Sequence, residues 1–129
     1  MVSTNERGFT LLELITVISI IAILTAIALP NYKTAIIQSK EAVLREDLFQ
    51  FRDRIDQYYA DKGRYPESLE ALLEQGYLRR IPVDPMTGSA DWQLVPAEPD
   101  PDDPDASGIY DVHSASEAQS ASGTPYSEW

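Results

Sequence analysis

A long apolar segment near the N-terminus most constrains what this chain of 129 residues can fold into. Residues 9–29 contain a single charged side chain, Glu13. As a helix rising ~1.5 Å per residue, the segment is about 31 Å long, which matches the ~30 Å hydrocarbon core of a membrane. A small domain rarely buries a helix that is apolar on every side, so the segment is predicted to enter a membrane.

Glu13 is the unusual residue of this segment. A carboxylate is costly in a membrane, because an ionised residue at the centre of a transmembrane helix costs roughly 2.5–3.5 kcal/mol on insertion scales. No basic residue lies between Gly8 and Tyr32 to pair with it. The sequence of one chain therefore gives Glu13 no partner.

A removable secretory signal is the next alternative for this segment. Such a signal has a basic start and a cleavage site of small residues after the apolar part. The start here offers Arg7 against Glu6, and residues 26–28 (Ala-Ile-Ala) match a cleavage site only weakly. The apolar part is also longer than in a usual signal, so membrane insertion is favoured.

Helical periodicity resumes after Pro30, which marks a local break or kink because proline has no N–H and clashes with the preceding turn. Gly63 is the residue expected just beyond the end of the helix. Residues 9–62 are thus predicted to form one long helix with a weak point at Pro30. Its second half carries one apolar stripe, formed by Ile37, Leu44, Leu48, Phe51, Ile55 and Tyr58. The opposite, polar face carries Glu41, Arg45, Glu46, Arg52, Asp53 and Asp56, with Glu41 and Arg45 at a favourable i,i+4 spacing.

Residues 64–129 must cover this stripe. A short helix is predicted to begin near Pro66 and to end at Gly76, with an apolar side of Leu69, Leu72 and Leu73. Residues 91–95 and 108–114 are predicted to be strands of a hairpin that packs Trp92, Leu94, Ile109 and Val112 on the long helix. The predicted fold class is therefore α+β. Tyr126 and Trp129 are expected to fold back onto the domain.

Between the strands, residues 96–105 contain four prolines and five acids and are predicted to be a solvated loop. The net charge is -11, and all ten Lys and Arg lie at or before Arg80. Nucleic acid and anionic lipid headgroups are therefore not expected partners of the acidic C-terminal half. There is no cysteine, which excludes disulfides and thiolate metal sites.

Catalysis and metal binding have little support. His113 is the only histidine, beside Asp111 and Ser114 on a predicted strand, and no phosphate-binding Gly-rich loop is present. Calcium needs six to eight oxygen ligands. The stiff loop 98–105 has carboxylates without EF-hand spacing, so it is interpreted as a solubilising loop and no cofactor is assigned.

Residues 7–30, RGFTLLELITVISIIAILTAIALP, resemble the class III leader and N-terminal helix of type IV pilins and type II secretion pseudopilins. Residues 58–88 are similar to the segment after the long helix in major pseudopilins of the G type, and residues 108–114 and 123–129 resemble their last strand and loop. The resemblance implies that a prepilin peptidase cuts between Gly8 and Phe9 and methylates the Phe9 amine. Glu13 would then face the N-terminal amine of a neighbouring subunit.

The resemblance also implies an organisation for the whole chain. It comprises a leader (1–8), a transmembrane and assembly helix (9–30), an amphipathic periplasmic half (31–63) and a small globular domain (64–129). The implied protein is a single-pass inner-membrane subunit with a cytoplasmic N-terminus. It self-assembles, with an assembly platform and minor pseudopilins as partners, into a periplasmic pseudopilus for protein secretion across the outer membrane.

One departure from that family pattern, and the alternatives, bear on function. G-type pseudopilins bind calcium in an Asp-rich C-terminal loop, whereas this chain has no Asp after Asp111, so no calcium ligand is assigned. A type IV pilin for adhesion, motility or DNA uptake is the first alternative, although the zero cysteines argue against the usual disulfide loop. A membrane-anchored acidic binding domain is the second alternative, and an enzyme is the third.

Overall fold

The computed structural model describes residues 7–103 and 107–129. Helix α1 (Leu11–Lys62) is followed by helix α2 (Leu69–Glu74), strands β1 (Trp92–Pro96) and β2 (Ile109–Ser114), and a 3-10 turn (Tyr126–Glu128). The predicted α+β fold, with one long N-terminal helix, a short helix and a small antiparallel sheet, is confirmed. The described chain divides between Ile37 and Gln38 into two compact units.

The first unit is the exposed, apolar start of α1. In the part of the chain that the structure describes, α1 is the one helix long and apolar enough to cross a membrane by length and composition. Three hydroxyls in it donate to the carbonyl four residues earlier, at 2.7–2.8 Å, in Thr16, Ser19 and Thr25. Their polar groups are thus satisfied within the helix, as a lipid environment requires.

Pro30 lies inside α1, which continues through it from Leu11 to Lys62. A proline at this position cannot donate to the Ala26 carbonyl, so this turn has one backbone hydrogen bond fewer than its neighbours. Thr34 Oγ1 donates to the Pro30 carbonyl at 3.1 Å. Pro30 therefore weakens one turn without ending the helix.

The core of the second unit forms on the predicted apolar stripe of α1. Leu44, Leu48, Phe51, Ile55 and Tyr58 are all buried there. Ile37, the first predicted member of the stripe, is instead exposed. The stripe meets side chains from every later element, namely Leu69, Leu72, Trp92, Ile109, Val112 and Tyr126.

Helix α2 begins as its sequence predicts but buries a narrower side. The Ser68 hydroxyl accepts a hydrogen bond from Ala71 N and caps the helix, while Gly76 has a φ of 81°, which favours glycine. Leu73 is partly exposed, because a helix of six residues buries one stripe through Leu69 and Leu72. Pro66 lies before the cap rather than in the first turn, and it is buried.

The two strands pair as the predicted antiparallel hairpin, with Leu94 opposite Val112. Leu94 was expected in the core but is 44% exposed, whereas Val112 is fully buried. Strand β1 is hydrogen-bonded on one side only, and Trp92 is its one buried residue. Pro96 belongs to β1, where the register shifts, so the exposed loop begins one residue later than predicted. Its residues 104 and 105 lie outside the described residues.

Gly108 is required where β2 approaches the segment before α2. A Cβ atom at Gly108 would lie 2.5 Å from Tyr65 Cβ and 2.9 Å from the Tyr65 carbonyl oxygen. Ile109 N also donates to the Pro66 carbonyl at 2.8 Å, which holds the two backbones together. The backbone at Tyr65 therefore has little freedom to move away.

We expect Gly108→Ala to lower the free energy of unfolding by about 1–3 kcal/mol, as overpacking against a fixed backbone does. Ser107→Ala, at the exposed neighbouring position, is the matched control and should change stability by less than about 0.5 kcal/mol. Urea unfolding of the purified chain in detergent measures both variants. Equal stability of the two variants would contradict the close approach.

Candidate functional site

The residues of the predicted processing and assembly site lie at the start of α1. Gly8 and Phe9 precede the helix, and the Phe9 side chain is 88% exposed. Glu13 lies in the first turn, where its backbone N–H donates to Thr10 Oγ1 at 3.2 Å. Thr10 and Glu13 thus have the spacing of a capping box, a signal that the sequence contains but that our sequence reasoning did not use.

This position places the Glu13 carboxylate near the positive end of the helix dipole. No described residue forms an ion pair with Glu13. The carboxylate of one chain therefore remains available to a cation supplied by another molecule. Phe9 and Glu13 are four residues apart, a separation comparable to one helical turn.

A second group of interactions joins α1 to residues 115–129, which we call the C-terminal strap. Glu41 was predicted on the solvent-facing side of α1, but it is only 6% exposed. Its Oε1 accepts hydrogen bonds from the Tyr126 hydroxyl at 2.8 Å and from Ala121 N at 3.2 Å. The placement of Glu41 is therefore corrected: the strap covers it and supplies two donors.

Two arginines on α1 also contact the strap. Arg52 Nε donates to Asp111 Oδ1 at 2.7 Å, and Arg52 Nη2 donates to the main-chain oxygen of Trp129 at 2.6 Å. The Arg45 guanidinium lies 4.5 Å from the centre of the Trp129 ring, a cation–π distance. Arg45 therefore contacts Trp129, whereas the sequence had suggested a pair with Glu41.

The contact with Glu41 changes the pKa of Tyr126. Burial raises the pKa of its phenol above the ordinary value, and the hydrogen bond to Glu41 raises the pKa further. The phenol therefore keeps its proton and remains a donor at neutral pH. Because the acceptor is a carboxylate, the bond belongs to the stronger, charge-assisted kind.

A buried carboxylate also organises the loop before β1. Asp84 is fully buried, and it accepts from Ser114 Oγ at 2.6 Å and from Met86 N at 2.8 Å. Asp84 also acts on the half-buried Asp47. Burial raises the pKa of Asp47, and the negative charges of Asp84 and Glu46 raise it further. The positive charge of Arg80 opposes this rise. These contacts attach the loop to β2 and give Asp84 a structural role.

The residues around His113 do not form a catalytic relay. His113 Nε2 lies 3.5 Å from Asp111 Oδ2, but Asp111 is bound to Arg52 and the Ser114 hydroxyl donates to Asp84. Ser–His catalysis needs the hydroxyl hydrogen-bonded to the imidazole. The geometry therefore matches a packing histidine rather than a general base.

The C-terminal strap is the part of the chain where the family resemblance implies a calcium ion, for which the sequence assigned no ligand. Calcium needs oxygen ligands, whereas Ala121 and Tyr126 of the strap direct N–H and O–H donors toward Glu41 of α1. Across residues 7–103 and 107–129, no group of three or more His, Asp or Glu side chains is placed to hold a metal. In the acidic loop, Asp100 Oδ1 accepts from Asp102 N at 2.9 Å within its own turn.

Two comparisons with known proteins show which family the chain belongs to. Residues 3–29 match the prokaryotic N-terminal methylation motif. The chain is 34% identical over 107 residues to type II secretion system core protein G of Klebsiella michiganensis, covering 70% of this chain and 74% of that protein. The chain belongs to the type II secretion core protein G family. The pseudopilin resemblance stated from the sequence is thereby confirmed.

A second core protein G and a type IV pilin are also similar to the chain. The Escherichia coli core protein G is 31% identical over 127 residues, with 86% of this chain and 81% of that protein covered. A type IV major pilin of Neisseria gonorrhoeae is 41% identical over 68 residues, with 51% of this chain and 40% of the pilin covered. No solved structure gives a significant match.

The hydrogen bonds between Glu41 and the strap predict that this member of the core protein G family loses stability when Glu41 is replaced. Glu41→Ala leaves the Tyr126 hydroxyl and the Ala121 N–H without their acceptor. We expect a loss of about 2–3 kcal/mol in the free energy of unfolding, because unpaired buried donors are costly. Urea unfolding followed by tryptophan fluorescence measures the loss.

The matched control is Glu46→Ala, five residues further along α1. Glu46 is exposed, and among the described residues it accepts a hydrogen bond from Gln50 alone, at 3.1 Å, so its replacement should cost less than about 0.5 kcal/mol. Similar losses for both variants would show that Glu41 does not fasten the strap.

Calcium should have little effect on this domain. The strap is closed by hydrogen bonds to Glu41 and Arg52. We expect a chelator, or added millimolar Ca²⁺, to leave the melting temperature unchanged within about 1 °C, because a ligand that does not bind the folded state cannot stabilise it. Differential scanning fluorimetry with and without the chelator makes the measurement, and a large fall in melting temperature would reveal a calcium site.

Proposed function

We propose that this protein is a structural subunit that polymerises into a helical pseudopilus, used for type II secretion of proteins across the outer membrane. The observation that carries the proposal is its membership of the core protein G family, with similarity over 70% of the chain. The exposed apolar surface of residues 9–29 supports it, because a helix of this kind needs lipid or other helices around it. The proposed role is structural rather than enzymatic.

The proposed first step is processing of the leader. A prepilin peptidase cuts the bond between Gly8 and Phe9 and methylates the new amine of Phe9. The methylation motif over residues 3–29 supports this step, as does the position of Gly8 and Phe9 before the helix begins. In the proposed topology, residues 9–30 then span the inner membrane with the N-terminus in the cytoplasm. Residues 31–63 and 64–129 lie in the periplasm.

The proposed second step is docking of one subunit on the next through Glu13. Its carboxylate has no ion-pair partner among the described residues, and the cut at Gly8 creates a positive amine on every copy. Opposite charges attract far more strongly in a low-dielectric environment than in water. A neighbour at the correct axial position would therefore offset the cost of keeping Glu13 in an apolar environment.

The proposed partners follow from these two steps. They are further copies of the chain, the prepilin peptidase, an inner-membrane assembly platform and the minor pseudopilins. No cofactor is proposed. Nucleic acid is not a proposed partner, because the ten acids after Arg80 have no nearby base in sequence.

A type IV pilin is the second candidate, and the similarity to the Neisseria gonorrhoeae pilin favours it. That similarity covers 40% of the pilin, whereas the similarity to core protein G covers 74–81% of the relatives compared. The secretion role is therefore preferred. Deletion of the gene separates the two roles, since loss of exoprotein secretion supports the first and loss of adhesion, motility or DNA uptake supports the second.

Glu13→Gln tests the proposal in cells that hold a prepilin peptidase and the secretion apparatus. We expect the unaltered chain to begin at methylated Phe9 by intact mass and to form filaments by electron microscopy. The variant should be inserted and cleaved but should form at least tenfold fewer filaments, because an amide cannot supply the charge that the amine requires.

Thr16→Ala is the matched control for this experiment. Its hydroxyl bonds to the Leu12 carbonyl of its own helix, so its removal should leave both cleavage and filaments unchanged. Retention of Met1 in the unaltered chain would argue against the pseudopilin role. Normal filaments of the Glu13 variant would refute the pairing role alone.

A further inference from the structure

An open cleft of about 920 Å³ lies in the second unit, between the end of α1 and the strand ends. Three tyrosines line it. Tyr59 and Tyr65 stack with ring centres 4.5 Å apart, and the ring planes of Tyr65 and Tyr110 meet at 84° with their centres 5.7 Å apart. Tyr59 and Tyr110 are 46% and 56% exposed, so the cleft has aromatic surface that the core does not use.

The central ring of this group stands on a fixed backbone. Tyr65 approaches Gly108 so closely that a Cβ atom at Gly108 would lie 2.5 Å from Tyr65 Cβ. The next residue, Pro66, accepts a hydrogen bond from Ile109 N at 2.8 Å. The aromatic wall is therefore formed before a ligand arrives, which lowers the cost of binding.

The hydroxyls of these three tyrosines are also available to a ligand. Among the described residues, the tyrosine hydroxyls that form hydrogen bonds are those of Tyr77 and Tyr126. A phenol oxygen can accept a hydrogen bond as well as donate one. The cleft thus offers three further acceptors beside its ring faces.

The charged residues of the cleft are mainly acidic. Its lining includes Glu67, Glu98, Asp100 and Asp103, against one base, Arg64. None of them forms an ion pair with a described residue. Tyrosine ring faces attract cations, and carboxylates beside them add direct charge-assisted hydrogen bonds. The cleft is therefore suited to a cation rather than to an anion or an apolar ligand.

The carboxylates of the cleft are spread along it rather than gathered around one point. Over residues 7–103 and 107–129, no three acidic or histidine side chains are placed to hold a metal ion. Glu67 precedes α2, whereas Glu98 follows β1. A ligand that pairs with both sides needs separate positive groups joined by a chain, and that chain would lie on the tyrosine rings. An aliphatic polyamine has this structure, with ammonium groups separated by a few methylene groups.

We propose that this tyrosine-lined acidic cleft is a binding site for an aliphatic polyamine. The ammonium groups pair with Glu67 and Glu98, and the methylene groups beside them lie on the exposed faces of Tyr59 and Tyr110. The cleft volume falls within the range of roughly 300–1,000 Å³ that is usual for small-ligand sites. The inference concerns the second unit alone, so it does not depend on the proposed filament.

Isothermal titration calorimetry of the full chain in detergent, with spermidine as the probe, tests the site. We expect saturable binding at a single site. Tyr110→Ala should weaken the affinity about fivefold because a cation–π contact is lost, whereas Tyr110→Phe, which keeps the ring face, should bind within about twofold of the unaltered chain. Equal affinity of the alanine variant and the unaltered chain would contradict the aromatic contact.

Glu98→Gln tests the acidic side of the cleft at an exposed position, where the fold does not depend on the side chain. We expect about threefold weaker binding from the loss of one exposed ion pair. Glu74→Gln is the matched control, because Glu74 is an exposed acid at the end of α2 outside the cleft and its replacement changes the net charge equally. Its affinity for spermidine should equal that of the unaltered chain.

Three results would overturn the inference. Equal losses for Glu74→Gln and Glu98→Gln would mean that a chain with a net charge of -11 attracts any polycation without a site. Displacement of spermidine by an equal concentration of Mg²⁺ would mean that the rings take no part, because Mg²⁺ has no methylene groups to lie on them. Tighter binding of an arginine-rich peptide than of spermidine would assign the cleft to a segment of a basic protein.

Discussion

The second unit depends on the attachment of its C-terminal strap to one flank of α1. A domain of about 90 residues buries a modest fraction of its surface, and this chain has no disulfide to add stability. Glu41 and Arg52 therefore have a large share in closing it, since hydrogen bonds to charged groups are worth about 1.5–3 kcal/mol each. Once the strap is in place, Tyr126 completes the core that Phe51 and Val112 form from other elements.

Two glutamates on the same helix illustrate how the environment decides the role of a carboxylate. Glu41 finds two donors within its own chain and is buried by them. Glu13 lies in the first turn of α1, near the positive end of the helix dipole, and has no ion-pair partner among the described residues. The first is thus satisfied on folding, whereas the proposed partner of the second exists only after cleavage and association.

Sequence patterns predicted the local features of the fold well. The stripe from Leu44 to Tyr58, the stop at Gly63 and the pairing of the two strands all follow from periodicity and turn chemistry over a few residues. The same reasoning placed Glu41 on the solvent-facing side because it is charged, although its spacing, four residues after Ile37 and three before Leu44, puts it on the apolar stripe. Its donors lie 80 and 85 residues away, and no local pattern contains them.

Leu73 and Leu94 were expected in the core and are exposed instead. Leu73 and Leu94 fit the apolar patterns of a helix and a strand, but each extends past the surface that the opposing elements can cover. In the candidate site, the Thr10–Glu13 spacing was readable from the sequence, whereas the convergence of Tyr59, Tyr65 and Tyr110 on one cleft was not. That cleft arises from the meeting of three separate segments.

The internally bonded hydroxyls of α1 have a consequence for how such helices would lie side by side. Thr16, Ser19 and Thr25 use their donors on their own carbonyls, so neighbouring helices gain little directional bonding from them. Apolar surfaces alone allow two helices to slide by a turn, about 5.4 Å, with small changes in contact energy. A single charged group near one end removes that degeneracy, because only one axial position brings the charge to its partner.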